Sequence, residues 1–156
     1  MNFKNESIGK VTHYQFTENG LSGQCSNKNF QLTFYNEKIC RIQVSQNPSF
    51  EHYPFSVILE PKSVELQQAA DQTKLALESR HLKVEIQQDP FRLTFINTQG
   101  EVLNQDDPSF GISWLGHEVT NYKTLSRDEV FLGMGEKGGG LNRRGASYDN
   151  WNSDAF

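Results

Sequence analysis

The residues with the greatest chemical potential lie in the last quarter of the chain. This segment carries an arginine pair, Arg143 and Arg144, followed by Trp151 and Asp154. A guanidinium can hold a carboxylate, such as that of Asp149 or Asp154, through two parallel hydrogen bonds. An indole ring can stack on the apolar face of a sugar, and a carboxylate can accept hydrogen bonds from sugar hydroxyls. Taken singly, such residues are more often surface or core groups, so the surrounding pattern has to decide.

Glycines precede these residues and satisfy the pattern G-x-G-x-x-G at Gly133, Gly135 and Gly138. A dinucleotide site requires a helix to begin at this motif. Gly139 and Gly140 follow at once, and each glycine disfavours a helix by roughly 1 kcal/mol. We therefore expect no nucleotide and no other cofactor. Two interpretations remain: a mobile loop, or a backbone that takes positive φ and passes close to another surface.

Other candidate sites are weak. The acidic pair Asp106-Asp107 precedes Pro108, which is typical of a turn rather than of an acid–base couple. No serine lies in a nucleophile-elbow motif. The histidines have no metal-ligand spacing and are expected to be surface or core residues: His13, His52, His81 and His117. We expect neither a catalytic residue nor a metal site in this chain.

The elements that must position the tail are predicted to be β-strands. Apolar residues alternate with polar ones in four segments, 30–34, 40–44, 82–86 and 91–95, which indicates strands with one buried face. Shorter candidates are Phe55–Leu59, Val64–Gln67, Lys74–Glu78, Phe110–Trp114, Glu118–Tyr122 and Glu129–Leu132. A helix is tolerated only in residues 65–80, where the leucine spacing still suits a strand better.

Short turn signals between the strands favour antiparallel pairing. The sequence thus predicts an all-β protein, an antiparallel two-sheet β-sandwich spanning residues 1–132. Regular alternation ends after Leu132, so residues 133–156 are predicted to form an irregular glycine-rich loop.

Composition narrows the class of protein. The chain has 156 residues, and its 12% aromatic content argues against disorder. A net charge of −4 gives no reason to expect nucleic acid, and no apolar run approaches the roughly 20 residues that span a membrane. The N-terminus lacks a signal-peptide core, so we expect a cytoplasmic protein, or one whose export signal is absent from this sequence.

The two cysteines give a separate prediction. Cys40 is expected to be buried and reduced, and a Cys25–Cys40 disulfide is the weaker alternative.

The C-terminal segment resembles glycoside hydrolase family 31, the α-glucosidase and α-xylosidase family. The resemblance rests on Phe131-Leu132-Gly133-Met134-Gly135-Glu136-Lys137, Leu141-Asn142-Arg143-Arg144-Gly145, Tyr148, and Trp151-Asn152-Ser153-Asp154-Ala155-Phe156. Met134 and Ser153 depart from the family's usual Leu and Thr. Asp89-Pro90-Phe91-Arg92-Leu93 also resembles the family's Pro-Phe-Arg strand pair.

The resemblance implies a galactose-mutarotase-like sandwich followed by a (β/α)8 barrel that carries two catalytic aspartates. These carry out retaining hydrolysis of α-glycosidic bonds, with carboxyl groups about 5–5.5 Å apart. The barrel motifs do not occur in these residues. We therefore expect a piece of a longer hydrolase, inactive alone, with an α-linked oligosaccharide or glucoside as substrate and the barrel as partner.

The resemblance also assigns roles to tail residues. Asp154 is implied to contact the sugar on the leaving-group side of the cleaved bond, with Trp151 on the same rim. The pairs Glu136-Lys137 and Arg143-Arg144 are implied to hold the loop against the barrel, and Gly133 and Gly135 are implied to be structural residues of the loop. Without the barrel, residues from about 136 onward are expected to be mobile, and the exposed face to drive self-association.

Two other function classes stay open. One is a stand-alone carbohydrate-binding β-sandwich, with Trp114 or Trp151 as an aromatic platform. The other, less favoured, is a mutarotase-like epimerase, which needs a histidine and a carboxylate on one concave face.

Overall fold

The computed structural model describes residues 4–26, 28–50 and 57–150. The chain divides into two compact units, Met1–Thr124 and Leu125–Phe156. The described part of the first unit is built of antiparallel strands. Of the described residues, none form a helix long and apolar enough to cross a membrane.

The strands are numbered in chain order. They are β1 (Glu6–Ser7), β2 (Val11–Thr17), β3 (Gly20–Cys25), β4 (Lys28–Asn36), β5 (Ile39–Ser45), β6 (Gln67–Ala70), β7 (Lys74–Glu78), β8 (Lys83–Gln88), β9 (Phe91–Ile96), β10 (Val102–Gln105), β11 (Ile112–Leu115) and β12 (Glu118–Asn121). The two larger sheets have the orders β2-β3-β4-β5 and β10-β9-β8-β7-β6, and a small third sheet has the order β1-β11-β12.

One apolar cluster joins the two larger sheets. Phe30 of β4 and Phe91 of β9 stand with ring centroids 4.9 Å apart, an aromatic pair at favourable distance. The buried leucine, isoleucine, valine and phenylalanine side chains that surround this pair include Leu21, Leu32, Phe34, Leu75, Leu77, Val84, Ile86 and Leu93. The predicted all-β sandwich is therefore confirmed.

The strand predictions succeed where alternation is unbroken. The segments at 30–34, 40–44, 74–78, 82–86 and 91–95 coincide with strands to within a residue or two. Two other strands are shorter or shifted, since β11 begins at Ile112 and β6 begins at Gln67. The predicted strand at Glu129–Leu132 is wrong, because those residues are irregular. Residues 57–59 are not in a strand, and the rest of the segment predicted there lies outside the described residues.

Strands β1, β2, β3 and β10 were not predicted. In β2, a bulge between Val11 and His13 shifts the alternation by one residue. In β3, Gly23 replaces an apolar side chain, because a Cβ there would lie 2.6 Å from the Phe30 ring. The fold needs the close backbone approach at that point, which removes the apolar signal from the sequence.

Both cysteines are free thiols, Cys25 buried and Cys40 half-buried. The disulfide alternative is not formed. Burial raises the pKa of each thiol to about 12, although a backbone hydrogen bond at Thr33 offsets part of the rise at Cys40.

Candidate functional site

The segment 125–150 contains no helix and no strand, and it carries most of the residues singled out from the sequence. Trp151 and Asp154, the residues implied to bind substrate, lie outside the described residues. What the structure defines is the loop that precedes them.

The loop takes an unusual backbone course at Gly133-Met134-Gly135. These three consecutive residues have φ of +99°, +65° and +72°. L-residues rarely adopt such values, and glycine adopts them without steric cost. A Cβ on either glycine would meet nothing within 4 Å, so backbone conformation rather than packing requires glycine here. The geometry agrees with the positive-φ interpretation of the motif.

Arg143 closes the glycine-rich part of the loop on itself. Its Nη1 donates to the Gly138 carbonyl and its Nη2 to the Lys137 carbonyl, both at 2.8 Å. The guanidinium carbon also lies 5.4 Å from the centre of the Tyr148 ring, a cation–π distance. Nε of Arg143 is buried and makes no hydrogen bond among the described residues.

Arg144 binds a different turn. Its Nη1 donates to the carbonyls of Ser126, Arg127 and Glu129, at 2.7, 3.1 and 2.8 Å. A single cationic nitrogen thus lies at the centre of three carbonyl oxygens, and charge-assisted bonds of this kind are about twice as strong as neutral ones.

Asp149 was a possible carboxylate partner for Arg143 or Arg144, but neither guanidinium group binds its side chain in the described residues. Its main-chain carbonyl accepts a hydrogen bond from Lys137 Nζ, while both guanidinium groups bind main-chain carbonyls. The arginines therefore fix loop shape rather than neutralise an acid in this part of the chain.

Asn142 has a structural role that its residue type alone does not reveal. Its Oδ1 accepts hydrogen bonds from the amides of Phe131 (3.2 Å) and Arg144 (3.1 Å). The Arg143 amide also donates to the Phe131 carbonyl at 2.7 Å. These bonds join the two ends of the loop. The available signal was the position of Asn142 inside the Leu-Asn-Arg-Arg-Gly motif.

Several apolar side chains of the loop face solvent. Leu141 is 80% exposed, Leu132 61%, Val130 57% and Met134 40%. Single exposed apolar residues are ordinary, but several of them in one short loop are typical of a surface that another element covers.

Acid–base and metal chemistry find little support in the described residues. Within them, no group of three or more His, Cys, Asp or Glu side chains could hold a metal ion. His81 Nε2 lies 3.4 Å from Glu37 Oε2, but both side chains project from hairpin turns and are largely exposed.

Trp114 is one of the two tryptophans that could form an aromatic platform for a sugar ring. It is only 6% exposed, and Lys28 Nζ lies 5.5 Å from its ring centre. Trp114 is a core residue and offers no open ring face to a sugar.

Residues 29–156 match the family described as the glycosyl hydrolase 31 N-terminal galactose mutarotase-like domain. The chain belongs to this family. The match covers most of the sandwich and the whole tail, so the resemblance found in the tail motif is confirmed.

Individual relatives of the chain support the same family membership. The chain is 29% identical to α-glucosidase 2 of Bacillus thermoamyloliquefaciens over 153 residues, which is 96% of this chain and 19% of that protein. It is also similar to a Flavobacterium johnsoniae GH31 dextranase complexed with isomaltotriose, at TM-score 0.84 and 27% identity, covering 96% of this chain and 19% of the dextranase. The cycloalternan-forming enzyme of Listeria monocytogenes shares the fold, at TM-score 0.77 and 19% identity over 91% of this chain and 14% of that enzyme.

The chain spans about a fifth of the length of the α-glucosidase and the dextranase. Family membership therefore concerns this N-terminal domain, and the activity of a whole protein is a separate question.

Proposed function

We propose that this chain is the non-catalytic N-terminal domain of a retaining, α-glucosidase-like glycoside hydrolase. In this proposal residues 1–132 form the platform, and residues 133–156 lead to a catalytic (β/α)8 barrel. The observation that carries the proposal is the loop at 125–150, which is hydrogen-bonded within itself while its apolar side chains face solvent. Family membership of the domain and the names of its relatives support it.

The loop is suited to docking because its shape is set internally. Arg143 and Arg144 satisfy five main-chain carbonyl contacts, so the loop does not need the barrel to supply those hydrogen bonds. The exposed side chains of Leu132, Met134 and Leu141 are then free to pack on the barrel. Burying apolar surface stabilises such a contact by roughly 25 cal/mol per Å².

Asp154, near the end of this segment, is the residue that binds the substrate in this proposal. Its carboxylate accepts hydrogen bonds from two hydroxyls of the sugar on the leaving-group side, and Trp151 lines the same rim. Bonds to a charged acceptor contribute roughly 1.5–3 kcal/mol each. The nucleophile and the acid/base belong to the barrel, about 5–5.5 Å apart, so the isolated chain hydrolyses nothing.

The test is made on the longer protein that carries this chain. Because Asp154 contacts a sugar leaving group, Asp154→Asn lowers kcat/KM for isomaltose or maltose by about ten- to a hundredfold. The same change has a much smaller effect on p-nitrophenyl α-glucoside, whose leaving group is not a sugar. Asp128→Asn, an exposed acid of the same unit, is the matched control and leaves both substrates unaffected.

Two results contradict the proposal. One is an equal loss on both substrates, which would place Asp154 away from the leaving-group side. The other is release of p-nitrophenol by the purified 156-residue chain, which would place catalytic groups within it.

A further inference from the structure

The outer face of the four-stranded sheet carries an uncharged, hydrogen-bonding surface. Residues in register on neighbouring strands share one face of a sheet, and two such rows cross β2, β3, β4 and β5. The rows are His13, Gln24, Asn29 and Ser45, and Gln15, Ser22, Gln31 and Gln43. The intervening rows, which include Phe30, Leu32 and Ile42, face the core. We call the two outer rows the amide face.

The amide face differs from its counterpart on the five-stranded sheet. There Glu85 lies between two lysines, 3.0 Å from Lys74 Nζ and 2.8 Å from Lys83 Nζ. Alternating charges of this kind are the common way for a sheet to face water. The eight residues of the amide face include no lysine, arginine or acid, although Arg41 occupies the next row.

A shallow pocket of about 280 Å³ lies on the amide face. Its lining includes five residues of the amide face, His13, Gln15, Ser22, Gln24 and Asn29, together with Phe50. A second depression, of about 480 Å³, follows the edge strand β5 past Gln43 and Ser45. Phe50 also lines this depression, so the half-buried ring stands between the two.

Hydrogen bonds hold part of the pocket in place. Asn29 Nδ2 donates to the Asn47 carbonyl at 2.8 Å, and Gln24 Nε2 donates to Asn29 Oδ1 at 3.3 Å. The first bond ties the segment that leads to Phe50 to the sheet. A side-chain amide has two donor hydrogens and two acceptor lone pairs, so both residues keep capacity for a ligand.

The chemistry of the pocket suits a neutral polyhydroxy ligand. Amide, hydroxyl and imidazole groups both donate and accept hydrogen bonds, as sugar hydroxyls do. The lining of the pocket includes no lysine or arginine to pair with a phosphate or carboxylate, whereas the half-buried Phe50 contributes apolar surface for the C–H groups of a pyranose ring. Two depressions flanking one aromatic ring match an extended chain of sugars better than a single one.

We propose that the amide face is a second carbohydrate-binding site, separate from the tail that carries Asp154; the choice of neutral α-linked gluco-oligosaccharides as its ligand rests on the function proposed above. The site would hold a glucan chain on the domain without cleaving it. The existence of such a site goes beyond that function and does not depend on the tail.

The test is calorimetric titration of the 156-residue chain with isomaltotriose and with maltotriose. We expect saturable binding of at least one of them, and no binding of trigalacturonic acid, whose carboxylates find no partner. Gln15→Ala with Gln24→Ala removes two exposed side chains of the pocket without touching the core. This double variant weakens Kd about tenfold, equivalent to roughly 1.4 kcal/mol.

The controls separate this site from the rest of the surface and from a folding defect. Gln87→Ala places the same change on the outer face of the five-stranded sheet and leaves Kd unchanged. Glu118→Ala, which removes an exposed acid of β12, also leaves Kd unchanged, and circular dichroism checks that each variant folds as the parent does. Absence of saturable binding to either trisaccharide, or binding that Asp154→Ala abolishes and Gln15→Ala with Gln24→Ala does not, would overturn the proposal. Neither result affects the separate test of Asp154, in which Asp154→Asn is compared on substrates with and without a sugar leaving group.

Discussion

Lys123 Nζ lies 2.6 Å from Asp106 Oδ1, and the Asp106 side chain is completely buried. The second carboxylate oxygen, Oδ2, accepts a hydrogen bond from the Leu93 amide at 2.9 Å. The pair therefore joins β9 to the segment that follows β12, two residues before the second unit begins at Leu125. A buried carboxylate with both oxygens engaged is costly to alter, because its partners are left unpaired.

Asp106→Ala is expected to lower the free energy of unfolding by about 3 kcal/mol, since it leaves the Lys123 ammonium without its carboxylate partner and the Leu93 amide without its acceptor. Urea unfolding measures the change. Glu118→Ala, an exposed acid on β12, is the control and shifts stability by less than about 0.5 kcal/mol. A loss at Asp106 no larger than that of the control would show that the ion pair contributes nothing.

Gly111 and Gly100 form a matched pair of glycines. Both have positive φ, +55° and +81°, but a Cβ at Gly111 would lie 2.5 Å from Arg92 Nη1, whereas one at Gly100 would meet nothing within 4 Å. Gly100→Ala therefore incurs only the backbone cost, about 1 kcal/mol. Gly111→Ala also displaces the Arg92 guanidinium from the Asp107 and Phe91 carbonyls, and we expect a loss of about 3 kcal/mol. Equal losses for the two variants in urea unfolding would contradict this account.

Arg144 holds the turn formed by Ser126, Arg127 and Glu129 through three carbonyl contacts to one nitrogen. Arg144→Ala is expected to open this turn, so that trypsin cleaves after Arg127 several times faster than in the parent chain. The unfolding midpoint of the sandwich stays the same, because these contacts lie within the second unit. Arg80→Ala, which removes an exposed arginine from the β7–β8 turn, controls for the lost trypsin site and charge. Unchanged cleavage after Arg127 would mean that the turn does not depend on Arg144.

Burial raises the pKa of Cys25 and Cys40 from 9.0 to about 12. Because the thiolate is the reactive form, both should resist iodoacetamide in the folded chain at about pH 8 and react readily in concentrated urea. The folded pKa is above the unfolded one, so the stability linked to these thiols is complete below pH 9 and is lost as pH rises from 9 towards 12. Cys25→Ser with Cys40→Ser should flatten that alkaline loss in unfolding experiments. Rapid alkylation of the folded chain would contradict the burial of the thiols.

The alternation of apolar residues predicted the central strands because the sandwich buries one face of each. Phe30, Leu32 and Phe34 sit in the core, and a period of two is the direct consequence. The same logic failed in β2 and β3. There a bulge after Val11 and a glycine at position 23, packed against the Phe30 ring, removed the pattern that a strand normally leaves.

In the tail, too, some features were predictable from the sequence and others depended on the fold. Its glycines and arginine pair predicted a loop and, through the family motif, the family itself, which the match over residues 29–156 confirms. The partners of the arginines were not predictable. A guanidinium binds a carboxylate or a carbonyl with similar geometry, and only the folded loop brings the Ser126, Lys137 and Gly138 carbonyls to them.

By itself, the sequence determined the all-β class, most of the central strands and the family, since these follow from local periodicity and from a contiguous motif. The tertiary structure decided which polar groups meet: the buried Asp106–Lys123 pair, the carbonyls around Arg144 and the uncharged rows on the outer sheet face. These contacts join residues distant in sequence, and strand register and the path of the loops bring them together.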